Sequence, residues 1–345
     1  MLFHLVAKSQ ASTVAVVGLA KNAGKTVAFN CLIAQATAAQ LPLGLTSLGY
    51  DGEAVDRLTH LAKPRIQAPA GTIIATARAA LERAETSLEL LRIMPFNTAL
   101  GPIVLARVVE PGNVELAGPS TLADLVQVAD VMREYGAAIS LIDGALNRVG
   151  SAAARVSQAT ILATGASVAA SPEQVVARTL HAVALLTAPP PPPVVQAAAQ
   201  AAFAAERVGY WHPQRGGWIS SQPTALGQPQ QTVAELGEAT HLMVPGAVTN
   251  NLVQALLQLP AGAPMPTLVV PAGTHVFATP AVWQRYLQRG GALQALESAP
   301  VLAVTVNPAH PAGTYQAELG AMLAQALYPI PVYDLFYDDQ RPLAH

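Results

Sequence analysis

The chain has 345 residues, a net charge of −2, and 52% hydrophobic against 12% charged residues. That length favours two domains, and so apolar a composition excludes disorder as the general state of the chain. The balanced charge, with no basic block, lacks the electrostatic footprint of a general nucleic-acid binder, and the single cysteine, Cys31, excludes a disulfide framework and a cysteine-rich metal site.

The N-terminal residues have no basic segment followed by a long apolar core, so they do not read as a signal peptide. Residues 12–18 are mostly apolar and rich in valine, the pattern of a strand buried on both faces of a parallel sheet. A helix is expected over residues 24–40 and a second strand over 43–48. Residues 65–76 read as β-rich or turn, and 76–84 as helical. Residues 88–94 and 101–109 are strand-like, with a turn signal at 110–113 before residues 114–117, which predicts an inserted antiparallel ribbon. Ser120 is the expected N-cap of a helix over 121–134. A buried strand over 138–142 ends at Asp143, and another covers 159–163. Ser171 is placed to cap a helix running to about residue 186, with Glu173 in its first turn.

Five consecutive prolines at 189–193 predict a stiff polyproline spacer and hence a domain boundary. Past residues 205–230, which hold Trp211, His212 and Trp218, strands are expected at 241–244, 267–270 and 301–306 and helices at 251–259, 280–289 and 316–327. Residues 332–336 add a last short strand. Residues 239–284 carry no charged side chain, but six prolines, among them Pro245, Pro260 and Pro271, break the run. A membrane span wants about 20 apolar residues together, so no membrane role is expected and the expected location is the cytoplasm. The expected fold is α/β. Its first part, residues 1–187, is a P-loop domain with a mostly parallel sheet and the inserted ribbon. A linker over 188–200 leads to a second, smaller α/β domain over 201–345 that binds a partner or substrate.

The strongest motif is Gly18-Leu-Ala-Lys-Asn-Ala-Gly24-Lys25-Thr26. The common phosphate-binding loop places four residues between its glycines; this one places five, between an incoming strand and an outgoing helix. Gly24 lets the backbone approach phosphates, and the amides of Lys21, Asn22, Ala23, Gly24, Lys25, Thr26 and Val27 would point at the anion. Lys25 supplies a charge for the β and γ phosphates, Lys21 a second one, and Thr26 a hydroxyl for Mg²⁺. Asp51, Glu53 and Asp143 follow strands, on the edge where open α/β sheets bind ligands. Asp143 takes the place of the carboxylate that holds Mg²⁺ directly or through water. Asp51 and Glu53 are further Mg²⁺ candidates, and Asn147 and Arg148 could reach the nucleotide. Lys25, Asp51 and Asp143 are accordingly the candidate catalytic set, with ATP and Mg²⁺ as the ligands. A guanine-reading Asn-Lys-x-Asp pattern is missing, which favours ATP over GTP. Cys31 reads as core, and Trp211 and Trp218 as packing.

The Gly-x5-Gly-Lys-Thr spacing resembles the loop of dethiobiotin synthetase and related SIMIBI-class NTPases. That class implies a mostly parallel sheet and an ATP site used for ligation, metal handling or partner remodelling. A resemblance across nearly the whole chain rests on that loop with Leu45-Thr-Ser-Leu-Gly-Tyr-Asp-Gly-Glu53, Lys63-Pro-Arg-Ile66, Gly112-Asn-Val-Glu-Leu-Ala-Gly-Pro-Ser120, Ile142-Asp-Gly-Ala-Leu-Asn-Arg148 and Ala303-Val-Thr-Val-Asn-Pro308. These segments resemble the reactivating-factor ATPase subunit associated with lysine 5,6-aminomutase, an adenosylcobalamin enzyme. The resemblance implies ATP-driven release of damaged cobalamin from a partner enzyme, that is, an ATPase that remodels or reactivates a protein client such as a cobalamin-dependent aminomutase. The alternatives are a small-molecule ligase of the dethiobiotin-synthetase type and a nucleotide sensor that does not hydrolyse. A homodimer that completes the site is a further possibility within the class.

Overall fold

The computed structural model describes residues 2–49, 65–145, 157–310, 312–313 and 316–336. Asp51, Glu53, Asn147 and Arg148 lie outside them. The chain divides into two compact units, one of residues 1–180 and 299–345 and the other of residues 181–298.

The first unit is built on a nine-stranded sheet. Its strands in chain order are β1 (Thr13–Gly18), β2 (Leu43–Ser47), β4 (Ile73–Ala77), β5 (Leu88–Thr98), β6 (Gly101–Val108), β8 (Ile139–Ala145), β9 (Ala159–Gly165), β15 (Val301–Asn307) and β16 (Val332–Asp334). In space they run β16-β15-β9-β1-β8-β2-β4-β6-β5. The seven from β16 to β4 are parallel, and β6 and β5 form the expected antiparallel ribbon at the edge. Two short strands, β3 (Ile66–Ala68) and β7 (Gly112–Val114), pair with each other outside the main sheet.

Alternation of side chains sends the buried residues of each strand to two faces, so both faces need cover. Val14, Val16, Leu43, Leu45 and Ile74 meet Leu2, Phe3 and Val6 of helix α1 (Leu2–Ser9) and Phe29, Leu32 and Ile33 of α2 (Lys25–Ala38). Gln35 Oε1 accepts from Phe3 N at 2.8 Å and ties the two helices together. Ile73, Ala75 and Ala77 point the other way, with Ile103 and Leu105, and meet Val128, Val131 and Met132 of a helix over Leu122–Glu134. That helix, α4, follows a single helical turn, α3 (Arg78–Leu81), where a longer helix over 76–84 was expected. The cap of α4 is Thr121 rather than Ser120: Thr121 is extended, at φ −115°, and its hydroxyl accepts from Asp124 N at 3.2 Å.

The expected domain boundaries need two corrections. Residues 301–334 do not belong to the second unit, because Val301–Asn307 pairs with β9 and carries β16 on its other side. A second unit is therefore inserted in the chain of the first. The five prolines also lie inside that second unit instead of joining two units. Pro192 is extended, at φ −54° and ψ 150°, and Pro193 opens helix α6 (Pro193–Ala204), where a missing N–H costs nothing. Helix α5 (Pro172–Leu186) precedes them. Ser171 Oγ accepts from Gln174 N at 3.4 Å at the start of α5, as its position suggested.

The second unit has a five-stranded sheet in the order β11-β10-β12-β13-β14, comprising β10 (Gly209–His212), β11 (Gly216–Ile219), β12 (His241–Met243), β13 (Thr267–Ala272) and β14 (Ala292–Glu297). β12, β13 and β14 are parallel, and β10 and β11 form an antiparallel hairpin beside them. Val195, Ala199 and Ala202 of α6 cover Met243 and Val269 on one face. The other face carries Leu242, Leu268 and Val270 with α8 (Asn250–Leu257) and α9 (Pro280–Gln288), which follow a short α7 (Pro229–Ala234). Trp218 stacks on Tyr210 with centroids 5.4 Å apart, and Trp211 meets the His241 ring edge-on, so both tryptophans are packing residues as read. Among the described residues no helix is long and apolar enough to cross a membrane.

A polar clamp ties the β10–β11 hairpin to α7. Glu235 accepts from Ser220 Oγ at 2.6 Å, from Gln222 Nε2 at 2.8 Å and from Gln231 Nε2 at 3.3 Å. The Ser220 and Gln222 bonds hold its carboxyl below the usual glutamate value of 4.5. A carboxyl depressed in the folded state stabilises above its unfolded value and loses that contribution as pH falls through the folded one. The second unit should therefore lose this contribution as the pH falls below the usual glutamate value of 4.5, and Glu235→Gln should flatten that part of the melting curve. Equal acid sensitivity of wild type and Glu235→Gln would show that the clamp contributes nothing.

Candidate functional site

β1 carries the chain between β8 on one side and β9 on the other. From β1 the chain moves towards β2 and β4, returns to β8, and then crosses to β9, β15 and β16. The strand order reverses beside β1, and open α/β sheets bind ligands outside the carboxyl ends of strands at such a point. The loop after β1 lies there.

Its backbone is specified residue by residue. Leu19 N donates to Ala163 O at 3.0 Å and fixes the loop's start to β9. Asn22 adopts a left-handed φ of 62°, and asparagine tolerates that region better than most residues. Gly24 is the N-cap of α2 at φ 91°, a conformation that favours glycine. Gly18 is under no such demand: a Cβ there would meet Ala20 O and Lys25 Cβ at an ordinary 3.5 Å. Ala28 N donates to Gly24 O at 3.0 Å, closing the first turn of α2.

The start of α2 is electrostatically unusual. No side chain caps it, its first turn has no acidic residue, and Lys25 occupies its first position. A helix N-terminus carries about half a positive charge and prefers anionic neighbours. Lys25 adds to that positive end. The opposing charge comes from a different strand: Lys25 Nζ lies 3.0 Å from Asp143 Oδ1, and the two side chains are only 20% and 22% exposed. Asp143 Oδ1, although buried, has no hydrogen-bond partner among the described residues. The 3.0 Å charge pairing leaves that oxygen with lone pairs to spare.

Asp143, expected at the end of the strand over 138–142, lies within β8, which continues to Ala145, beside Val16 of β1 and Ser47 of β2. Buried neighbours on both sides fix its position. Its backbone oxygen accepts from Leu48 N at 3.1 Å. Thr26 is in the first turn of α2, next to Lys25. Lys21 is exposed on the loop, Ala23 is buried, and Val27 is partly buried one turn into α2. Of the loop residues, the structure brings Lys25 to Asp143; Gly18, Lys21, Asn22, Ala23, Gly24, Thr26 and Val27 share its loop and the start of α2. Asp51 and Glu53 cannot be added, since they fall outside the described residues. Among the described residues no group of three or more His, Cys, Asp or Glu side chains could hold a metal. Cys31, on α2, has its thiol raised by burial and accepts from Gln35 Nε2 at 3.1 Å, which fits the expected structural role.

Two further features of the site lie in segments quoted above only for the resemblance, with no role assigned to them. The segment from Glu115 to Pro119 crosses the carboxyl ends of β2 and β4. Thr76 Oγ1 donates to Glu115 O at 2.9 Å and accepts from Ala117 N at 2.8 Å, and Ser47 Oγ accepts from Gly118 N at 2.8 Å. It walls the site on the side of β8. On the opposite side, Asn307 at the end of β15 donates from Nδ2 to Asn22 O at 2.9 Å and braces the loop. The tandem Asn307-Pro308 was visible in the sequence, but its contact with a loop 285 residues away was not.

No family model, curated protein or solved structure matches this chain. The chemistry of the site stands on its own residues.

Proposed function

We propose that the Gly18–Thr26 loop binds the phosphates of a nucleoside triphosphate with Mg²⁺. The observation that carries this reading is the lysine-bearing N-terminus of α2, uncapped by any side chain, at the switch point of the sheet, with a countercharge supplied by a partly buried carboxylate on the neighbouring strand. The helix N-terminus and Lys25 suit phosphate oxygens. The donor set suits Mg²⁺, which takes oxygen ligands and keeps several waters: the Thr26 hydroxyl and the open Asp143 Oδ1 would hold it. Bound there, the ion would supply positive charge to offset that of the phosphate oxygens. Asp143 would then release Lys25 to the phosphates, so the ion pair is the resting form of the site.

The use made of the nucleotide follows from the resemblance. ATP hydrolysis coupled to remodelling of a protein client is the reading it favours, and a separately folded second unit supplies a surface for such a client. A ligase would instead hydrolyse ATP only with its acid present, and a sensor not at all.

The test is equilibrium binding of ATP with and without Mg²⁺, for wild type and Asp143→Asn. Wild type should bind more tightly with Mg²⁺, and the variant should lose that enhancement while keeping metal-free binding. A variant as responsive to Mg²⁺ as wild type would remove Asp143 from the metal's ligands.

A further inference from the structure

Lys25 and Asp143 mark one flank of the loop, towards β8. On the proposed reading that flank holds the triphosphate and metal, so the nucleoside end extends towards the other flank, where β9, β15 and β16 end. Among the described residues, two side chains from that flank touch the loop. Asn307 uses one amide hydrogen and one oxygen lone pair within the protein: Nδ2 donates to Asn22 O, and Oδ1 accepts from Ala309 N at 3.1 Å. It braces the loop.

The second is Phe336. Asp334, the last residue of β16, accepts from Phe336 N through Oδ1 at 3.0 Å, and this turn directs the chain back towards the loop. The ring is seated against Gly24: a Cβ added there would meet its Cε2 and Cζ at 3.1 and 3.3 Å. Yet Phe336 remains 48% exposed. One edge of the ring is fixed on the turn glycine of the loop, and about half of the residue stays exposed. Isolated exposed apolar side chains are ordinary. This one is held in place by a specific turn, beside the loop, on the flank that the triphosphate leaves free.

We propose that Phe336 is the stacking platform for the nucleobase of a nucleotide held at Gly18–Thr26. The proposal rests on the phosphate-site reading above. Every base has a π-face, so stacking is tolerant of base identity, and Phe336 should support adenine and guanine alike. Phe336 also touches Gly24, so a purely propping role has to be separated from a stacking one.

The experiment measures dissociation constants of Mg-ATP, Mg-GTP and Mg-tripolyphosphate for the full chain and for Phe336→Leu and Phe336→Tyr. Leucine keeps apolar contact with Gly24 and removes the ring; tyrosine keeps the ring. Stacking predicts that Phe336→Leu weakens ATP and GTP about ten-fold, leaves tripolyphosphate within two-fold of wild type, and that Phe336→Tyr restores both nucleotides. Equal weakening of tripolyphosphate would overturn the proposal, since the ring would then only prop the loop. Unchanged ATP and GTP binding would overturn it as well. Failure of wild type to bind any of the three ligands is a different result: it would remove the phosphate site and the stacking platform together.

Discussion

Gly118→Ala is expected to lower the stability of the first unit by about 3 kcal/mol or more. A Cβ at this position would overlap the backbone carbonyl of Ser47, and it would lie 2.9 Å from Ser47 N. Neither obstacle is a flexible side-chain end; both are backbone of β2, a strand buried along its whole length. Relief requires the 115–119 segment to lift. Lifting would break Gly118 N to Ser47 Oγ and Gly49 N to Pro119 O, both at 2.8 Å, and would strain Ala77 N to Ala117 O. Each buried polar group left unpaired costs about 1–3 kcal/mol. The matched control is Gly227→Ala, where an added Cβ meets nothing within 4 Å and the change should stay within about 0.5 kcal/mol. Thermal unfolding of both variants checks this. A Gly118→Ala protein that melts with the control would mean that the segment tolerates displacement. Because Leu48 N, just past the end of the same strand, donates to Asp143 O, a lifted segment should also loosen the Asp143 side of the site.

The second large effect is on binding. Lys25→Ala is expected to weaken Mg-ATP by roughly 10- to 150-fold, the equivalent of about 1.5–3 kcal/mol for a hydrogen bond to a charged partner. The loop itself should survive, since its shape is set by Gly24, Asn22 and Asn307 and not by the lysine. The substitution also leaves Asp143 without its ion-pair partner while only 22% exposed. That adds a stability cost, so binding has to be compared at a temperature where both proteins are folded. Lys25→Arg is the informative companion: it keeps the charge, but a planar guanidinium does not replace a compact ammonium in so tight a place, and affinity should stay reduced.

Much of the fold near the site was legible because local pattern and tertiary role agree there. The valine-rich run before Gly18 is a strand covered on both faces, and that cover is what a continuous apolar run reports. Glu110-Pro-Gly-Asn113 marked the end of the antiparallel ribbon because proline and glycine restrict the chain locally. Membership of a sheet is different. Val301–Asn307 reads like the strands before it, and nothing in its residues says whether it pairs with β13 or β9; that choice is made by contacts far apart in sequence. The prolines misled for a related reason. Their extended conformation was readable, but extended chain serves equally as a spacer or as the entry to a helix, and here Pro193 is the first residue of α6.

At the site, spacing singled out Lys25, Thr26 and Gly24, and the end of an apolar strand singled out Asp143; the structure joins Lys25 and Asp143 in an ion pair. Asn307 and Phe336 were not singled out as site residues. Asn307 lies in a segment quoted only for the resemblance and Phe336 in no motif, and both reach the loop through the return of β15 and β16 to the sheet. Helix α1 was missed because it is eight residues long and gains its stability from packing on α2, not from its own sequence.

The most direct measurement is thermal unfolding of the wild-type full chain with Mg-ATP, Mg-GTP and no ligand. A ligand that binds only the folded state at 100 times its dissociation constant stabilises by about 2.7 kcal/mol. The account predicts a saturable upward shift of the first unit's transition with at least one nucleotide, and its loss in Lys25→Ala. No shift of wild type with either nucleotide at millimolar concentration would contradict the claim that Gly18–Thr26 is a phosphate site.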